Sequence, residues 1–585
     1  MGMSFFDYAW SALLQVSRKK REETKLLLRD NLTFPVLGYD AGGFVVCLVK
    51  PRKINASLMR YEDMVLDYSN LSHRKMLWQL FKASIFHLGA HTTVSDFKIY
   101  DDWAGDKDKN LATFSASLVE DAIATAYFKS RWPNLLRDIA YANAVSYLRT
   151  RAWSKTANEA LLLMTSALLQ YHVGMTRSRM NEKSSEDVRI ILSSAKEIEN
   201  LAYQRFQENG IQEDGNLAAS LRVHPDERLS AATKIFNVLE KHGETAEVPY
   251  LLYTESYGKG NIFENALPIE DGITTVLETA FKVLGVDAEG KTDTDKRERM
   301  LESEIYQIFS AWEARENKQK KILDTYLPLL KDTNLCSIEF PSEDYVEYLR
   351  TRATLGGQIR RIMEKLRLLK NITGEDFKHE SGLVDLQEAI QVVASRSRRT
   401  DIFVREELQS SEQVWSVLVD ASHSLNLALG TVRGVALCMG DVARNIILDQ
   451  RSWAVFAFNT KFYVIKDFTE NYTVLSQARI GGLRHSGLTY LPDGIKVVAN
   501  MLRGRNEQSK VLIVVSDFFP SGYKDIEEKL VENVRKAERS GVGIIGIGVR
   551  SRAVKNYFRF NCVIDTPYDL MKKFTKIFIQ YSSTR

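Results

Sequence analysis

The feature that most constrains this chain is an apolar run that ends in a short series of oxygen-bearing side chains. Residues 414–419 are almost entirely apolar and lead into Asp420, Ser422 and Ser424. An apolar run of this length suits a strand that is buried on both faces, as in a parallel sheet covered by helices. Such sheets bind their ligands at the carboxyl ends of the strands, so we expect Asp420 to lie at a functional edge.

Two later segments place further oxygen ligands in the same kind of position. Thr489 stands just before a predicted helix, and Asp517 closes another apolar run. Carboxylate and hydroxyl oxygens favour Mg2+, Ca2+ or Mn2+ over Zn2+. We therefore predict one divalent-cation site formed by Asp420, Ser422, Ser424, Thr489 and Asp517. The alternative is an ordinary doubly wound sheet whose strand ends happen to be polar.

The periodicity around these residues predicts the fold of residues 406–585. Strands are predicted at Val414–Asp420, Trp453–Asn459, Phe462–Phe468, Lys510–Asp517, Val542–Val549 and Cys562–Asp565, and helices at Leu425–Asp449, Asp493–Arg503, Asp525–Ser540 and Pro567–Tyr581. Strands that alternate with helices over short connections are typical of an α/β doubly wound domain with a mainly parallel sheet.

This combination of Asp-x-Ser-x-Ser with a later Thr and a later Asp resembles the von Willebrand factor A domain. In that family these residue types form a metal-ion-dependent adhesion site, and the resemblance implies an open coordination position that takes up an acidic side chain of a partner. Most such domains have Gly after the last Asp, whereas this chain has Phe518 and Phe519. We interpret the two aromatic residues as docking residues, unless they pack back on a neighbouring helix.

The segment of residues 381–424, "SGLVDLQEAIQVVASRSRRTDIFVREELQSSEQVWSVLVDASHS", adds a narrower resemblance to NorD/CbbO-type proteins. Those proteins work with MoxR-type AAA+ ATPases. The resemblance implies an adaptor that couples such an ATPase to a client enzyme complex for its activation, its remodelling or the insertion of its metal cofactor. The chain has no G-x-x-x-x-G-K-[ST] motif, so any ATPase is a separate chain, and we expect no enzymatic activity of the chain itself.

The 585 residues are too many for one core and predict several domains. We expect an α+β or mainly α domain at residues 1–150, a mainly helical region at 151–405 and the sheet domain at 406–585. Helices of the middle region are predicted at Asn158–His172, Ser185–Glu208, Pro225–His242, Lys296–Leu329 and Glu343–Leu369, and linkers at Gln212–Asn216 and Asp287–Asp295.

The amino-terminal region contains a second candidate metal site. His87 and His91 are four residues apart on a predicted helix and hence on one face, as Zn2+ ligands require. An H-E-x-x-H hydrolase needs Glu at position 88, where this chain has Leu. Glu120 would be the third ligand, by resemblance to the helix of gluzincin-like domains. Two histidines and a carboxylate could equally be hydrogen-bonded core residues, and a working zinc peptidase is the least favoured reading.

Charge and cysteine usage set the remaining expectations. The formal net charge is +4, with acidic and basic residues interspersed, so no nucleic-acid partner is expected. The alternative class is an RNA-binding protein that resembles Ro autoantigen-like chains, which also combine helical repeats with a von Willebrand A domain. Four widely spaced cysteines and the lack of an apolar run long enough to span a bilayer predict a cytoplasmic protein without a transmembrane segment.

Overall fold

The computed structural model describes residues 4–152, 158–208, 223–255, 262–264, 267, 270–286, 291–370, 375–379, 383–395, 398–406, 413–447 and 449–583. The chain divides into two compact units, residues 1–316 and 317–585. The predicted boundaries after residues 150 and 405 stay predictions for smaller divisions within these units.

The first unit combines two small sheets with a large set of helices. Its strands are β1 (Thr24–Arg29), β2 (Val36–Asp40), β3 (Gly43–Val49), β4 (Arg52–Lys53), β5 (Leu58–Tyr61) and β6 (Met64–Asp67). Its helices are α1 (Phe5–Ser17), α2 (Leu71–Val94), α3 (Ile99–Ala104), α4 (Lys109–Arg131), α5 (Leu136–Arg149), α6 (Glu159–Val173), α7 (Glu182–Glu208), α8 (Pro225–Leu239), α9 (Glu270–Leu284) and α10 (Lys291–Leu330), the last of which continues past residue 316. One sheet has the order β1-β3-β2 and the other β4-β5-β6.

Helices α2 and α4 form the centre of this unit, and local sequence explains where they begin. The Asn70 side chain accepts a hydrogen bond from the Ser72 N–H at 2.8 Å, and Asp108 accepts one from the Leu111 N–H at 2.8 Å. Such caps satisfy amide groups that have no partner in the first turn. Beyond the first turn, both helices are buried on nearly every face. Polar side chains on α2 and α4 are therefore held inside the core and need partners there.

The second unit contains a long sheet surrounded by helices. Its strands are β7 (Ile338–Glu339), β8 (Glu375–His379), β9 (Leu383–Val384), β10 (Phe403–Glu406), β11 (Gln413–Asp420), β12 (Trp453–Phe458), β13 (Phe462–Lys466), β14 (Ser509–Ser516), β15 (Val542–Val549) and β16 (Phe560–Ile564). Its helices are α11 (Tyr345–Lys370), α12 (Leu386–Ser395), α13 (Leu429–Ile446), α14 (Val474–Gly481), α15 (Leu491–Arg503), α16 (Ile526–Arg539) and α17 (Pro567–Ser583).

Seven strands pair in the order β16-β15-β14-β11-β12-β13-β7, and a separate small sheet has the order β8-β10-β9. The pairs from β16 to β12 are parallel, whereas β12 and β13 are antiparallel. After β11 the chain builds one side of the sheet with β12 and β13 and then crosses back to place β14 on the other side. The strand order thus reverses between β11 and β14, the kind of position where open α/β sheets bind ligands.

Most predicted element positions in this unit agree with the structure, and one difference has a local cause. Helix α13 begins at Leu429 rather than Leu425, because residues His423–Ala428 form a 3-10 turn.

By length and composition, the segment His423–Asn445 could cross a membrane, but 78% of its apolar window is buried inside the protein, as in a core helix.

Only the end of the second predicted linker lies within the described residues. Gln212–Asn216 lies outside the described residues, as do residues 287–290 of the second linker. Residues 291–295, in contrast, are the first turns of α10 and are not a linker.

Candidate functional site

The parallel pairing of β11 with β14 brings the first and last parts of the predicted cation site to one edge of the sheet. In this register Val419 lies opposite Val515, so the strands end side by side at Asp420 and Ser516. The two side chains are in direct contact, because the Ser516 hydroxyl donates a hydrogen bond to Asp420 Oδ2 at 2.5 Å. Asp517 follows Ser516 at the same edge.

The loop after β11 turns back on Asp420 and then rises to the surface. The Ser422 N–H donates to Asp420 Oδ1 at 2.8 Å, and the Ser422 and Ser424 hydroxyl oxygens are 3.0 Å apart. Asp420 and Ser422 are buried, whereas Ser424 is exposed. The oxygen atoms of this loop therefore run from the core of the unit to solvent.

Thr489 belongs to a third loop that is hydrogen-bonded to the other two. The Ser521 N–H donates to the Thr489 carbonyl at 3.2 Å, which connects this loop to the one that follows β14. The His423 N–H donates to the Gly487 carbonyl at 3.1 Å, which connects it to the loop that follows β11. All five predicted cation ligands thus lie on three loops that the backbone holds together at the carboxyl edge of the sheet.

The electrostatics of this edge favour a positive charge. Burial and the neighbouring Asp517 raise the pKa of Asp420 to about 7, although hydrogen bonds from Ser422 and Ser516 act in the opposite direction. Two neighbouring carboxylates in a buried site are costly to ionise together unless a cation joins them.

Two residues of this edge were missed by sequence reasoning. One is Ser516, whose hydroxyl contacts Asp420 and also accepts the Phe518 N–H at 3.0 Å. The other is His485, whose Nδ1–H donates to the Ser422 carbonyl at 3.0 Å. The His485 Nε2 atom is buried and has no hydrogen-bond partner among the described residues. Ser516 directly precedes Asp517 and could have been found from that position, whereas no sequence pattern marks His485.

The structure corrects the interpretation of Phe518 as a docking residue. Its side chain is only 1% exposed and packs in the core against Phe558, with ring centroids 5.1 Å apart. Its backbone has a φ of 58°, a left-handed conformation that turns the side chain of this loop residue into the core. Phe519, in contrast, is 62% exposed. Of the two aromatic residues, only Phe519 is placed to contact a partner.

The amino-terminal candidate site also needs a correction, because the Glu120 carboxylate is hydrogen-bonded to other residues. Both of its carboxylate oxygens accept hydrogen bonds from Arg228 Nη1 at 2.7 Å, and Tyr100 donates to Oε1 at 2.8 Å. Glu120 therefore neutralises a buried guanidinium and is not among the residues whose donor atoms cluster with those of His87 and His91. Its neighbour Asp121 takes that place.

His87, His91, Asp121 and Glu255 form a buried cluster whose donor atoms all lie within 4.8 Å of one another. Their side chains come from α2, from α4 and from the segment that follows residue 248. Burial lowers the pKa of His91, but Glu255 and Asp121 outweigh burial and raise this pKa to about 9. Burial raises the pKa of Asp121, but the neighbouring His172, His91 and His87 side chains outweigh it and hold this pKa far below its usual value. The cluster is thus a buried site of strongly interacting charges.

Comparisons with known proteins leave the chain without an assigned family. No known protein family matches the sequence, and no curated protein matches it. Among solved structures, the crystal structure of the Deinococcus radiodurans Ro (RSR) protein is 11% identical, covers 86% of this chain and 84% of that chain, and has a TM-score of 0.21. A likeness at that TM-score carries no argument about fold or function.

Proposed function

We propose that this chain is a divalent-cation-dependent protein-binding module. In this proposal Asp420, Ser422, Ser424, Thr489 and Asp517 hold the cation, and an acidic side chain of a partner protein completes its coordination. The edge of the sheet between β11 and β14 is then the binding surface, and the chain carries out no chemical reaction of its own.

One observation carries this proposal: Asp420 and Asp517 are both buried at the carboxyl ends of the adjacent strands β11 and β14, where the strand order reverses and the Ser516 hydroxyl contacts Asp420. Without a cation, the carboxylates repel each other in a medium of low dielectric. The oxygen-only donor set fits Mg2+, Ca2+ or Mn2+ better than a soft metal. When bound, such a cation supplies a Lewis-acidic coordination position that can take up a carboxylate oxygen.

The surrounding residues support this arrangement by fixing the donors in place. The Ser422 N–H and the Ser516 hydroxyl each bind one oxygen of Asp420, so its orientation is set before any ion arrives. The Phe519 N–H donates to Asp517 Oδ1 at 3.1 Å and fixes the second carboxylate. Exposed Ser424 marks the side from which a partner would approach.

A finer proposal for the partner rests on the resemblance of residues 381–424 to NorD/CbbO-type proteins. In it, the chain is an adaptor that couples a MoxR-type AAA+ ATPase to a client enzyme complex. The von Willebrand A domain assignment belongs to the same proposal and is supported by the order of the five ligand residues, which lie at the end of β11 and just after it, before α15 and after β14.

The test compares Asp420→Asn with the matched control Asp565→Ala in the full-length protein. Asp565 is an exposed carboxylate just after β16, which ends at the same edge of the sheet. We expect Asp420→Asn to lose Mg2+ binding in calorimetric titration and to lose Mg2+-dependent capture of a MoxR-type ATPase. Asp565→Ala should keep both. Undiminished capture by Asp420→Asn, or capture that persists in EDTA, would reject the proposed mechanism.

A further inference from the structure

The cluster of His87, His91, Asp121 and Glu255 in the first unit has the dimensions of a metal coordination shell. A tetrahedral ion with ligands at about 2.0–2.2 Å places neighbouring donor atoms roughly 3.3–3.6 Å apart. The observed separations are 3.0 Å for His87 Nε2–His91 Nε2, 3.0 Å for His87 Nε2–Glu255 Oε2, 3.2 Å for His91 Nε2–Asp121 Oδ1, 3.5 Å for His87 Nε2–Asp121 Oδ1 and 3.5 Å for His91 Nε2–Glu255 Oε1. These separations, two of which involve different oxygens of Glu255, are close to the spacing of donor atoms around one ion, and the four donor atoms lie within 4.8 Å of one another.

Hydrogen bonds alone do not satisfy these contacts. Each imidazole Nε2 carries at most one hydrogen, and ionised carboxylates only accept. The two Nε2 atoms face each other at 3.0 Å, and each also faces carboxylate oxygens. If both nitrogens are protonated, no acceptor remains between them, and if only one is protonated, the other presents a lone pair to a carboxylate. A cation bound between the four side chains would instead attract the imidazole lone pairs and both carboxylates.

A second observation is the position of His172, which is outside the four donors. Its side chain is 3% exposed, and its Nε2 atom has no hydrogen-bond partner among the described residues. It is 3.6 Å from Asp121 Oδ2, the oxygen opposite the one that faces the histidine pair. On the other side of the cluster, His91 Nδ1 is 2.7 Å from the Ser95 hydroxyl. Metal ligands typically have such outer partners, which orient a carboxylate or the second nitrogen of an imidazole.

We propose that His87, His91, Asp121 and Glu255 bind one zinc ion in a closed, structural site. Two neutral imidazoles and two carboxylates balance the charge of a divalent ion, and four ligands at tetrahedral spacing are typical of structural zinc. Each donor residue is at most 6% exposed, which leaves no position for a substrate. Leu88, fully buried, stands where a zinc hydrolase would need its general base.

A bound ion would connect parts of the chain that are far apart in sequence. His87 and Glu255 are separated by 168 residues, and Asp121 contributes from α4. The ion would therefore join α2, α4 and the segment ending at Glu255 in the core of the first unit. This proposal does not depend on the proposed function, because it involves none of the residues at the sheet edge.

The test measures zinc in the full-length protein after equilibration with ZnCl2 and removal of free metal. We expect about one zinc per chain in the wild type and in Asp420→Ala, and at least a tenfold lower zinc content in Asp121→Asn and Glu255→Gln. The matched control is Glu120→Gln, which changes the preceding carboxylate on the same helix and should keep its zinc. Loss of zinc in Glu120→Gln together with retention in Asp121→Asn would overturn the ligand assignment.

A measurement on the wild type keeps the test decisive if the variants fail to fold. Zinc-edge X-ray absorption should give four nitrogen and oxygen neighbours at about 2.0–2.1 Å and no sulfur. The cobalt-substituted protein should show the intense visible absorption of four-coordinate Co2+. A wild-type protein without stoichiometric zinc, with zinc bound through sulfur, or with zinc that disappears in Asp420→Ala would contradict the proposal.

Discussion

At Phe518 we predict that a glycine variant is more stable than an alanine variant, the reverse of the usual order. In most positions glycine destabilises a protein more than alanine, because it loses more backbone entropy on folding. Phe518 has a φ of 58°, where a side chain of the L configuration costs about 1–2 kcal/mol and glycine costs nothing. We therefore expect Phe518→Gly to be more stable than Phe518→Ala.

The magnitudes follow from the burial of the ring and from the backbone conformation. Phe518 is 1% exposed and contacts Phe558, so truncation to alanine should lower the free energy of unfolding by about 3–5 kcal/mol. Glycine removes the same ring but relieves the left-handed strain, which leaves it about 1 kcal/mol more stable than alanine. For a unit of this size the difference corresponds to roughly 2–4 °C in melting temperature.

The control is the ring on the other side of the same contact. Phe558 is 3% exposed and is not among the residues with positive φ, so Phe558→Gly should be less stable than Phe558→Ala. Urea unfolding followed by tryptophan fluorescence gives all four free energies. If Phe518→Gly proves no more stable than Phe518→Ala, the left-handed conformation and the account of this loop are wrong.

Two further predictions concern the same unit. Phe519→Ala removes a ring that is 62% exposed, so it should change the free energy of unfolding by less than about 0.5 kcal/mol. We expect the same variant to weaken capture of the partner ATPase. Equal capture by the variant and the wild type would show that Phe519 is not part of the interface. Lys466 is fully buried, and burial lowers its pKa to about 7. Between pH 7 and about 10.5 the unfolded chain keeps a proton on Lys466 that the folded chain has lost. The free energy of unfolding should therefore rise with pH over this range, by at most roughly 4 kcal/mol, when it is compared with that of Lys466→Met. Parallel pH profiles of the two proteins in urea unfolding would refute the shift.

The sequence was sufficient to predict the sheet domain because its signals are local. Each buried strand is an apolar run with polar residues at its carboxyl end, as at Asp420 and Asp517. Parallel pairing then brings those ends to one edge without further information. The length of the 3-10 turn before α13 was not predictable, because a short turn and the first turn of a helix have similar patterns.

The cluster of His87, His91, Asp121 and Glu255 shows what sequence reasoning could not reach. The spacing of His87 and His91 places both on one helix face, which was predicted correctly as a geometric relation. Choosing between Glu120 and Asp121 requires the rotation of α4, and that helix is buried on almost every side, so hydrophobic periodicity gives no direction. Glu255 lies 168 residues from His87, and only the tertiary fold brings the two together.

Phe518 illustrates a third limit, which comes from the backbone. Two aromatic residues beside a polar site resemble an interface anchor in sequence, yet one positive φ directs the first ring inward and leaves the second outside. A pattern of residue types contains no information about that dihedral angle when the residue is not glycine.

Anomalous diffraction from a crystal of the full-length protein grown with MnCl2 tests the central claim most directly. We expect one anomalous peak at the carboxyl edge between β11 and β14, within about 2.5 Å of an oxygen of Ser422, Ser424 or Thr489 and close to Asp420 and Asp517. The peak should be missing in Asp420→Asn crystals grown under the same conditions. A wild-type crystal with no manganese at this edge, or with manganese that remains in Asp420→Asn, would contradict the account.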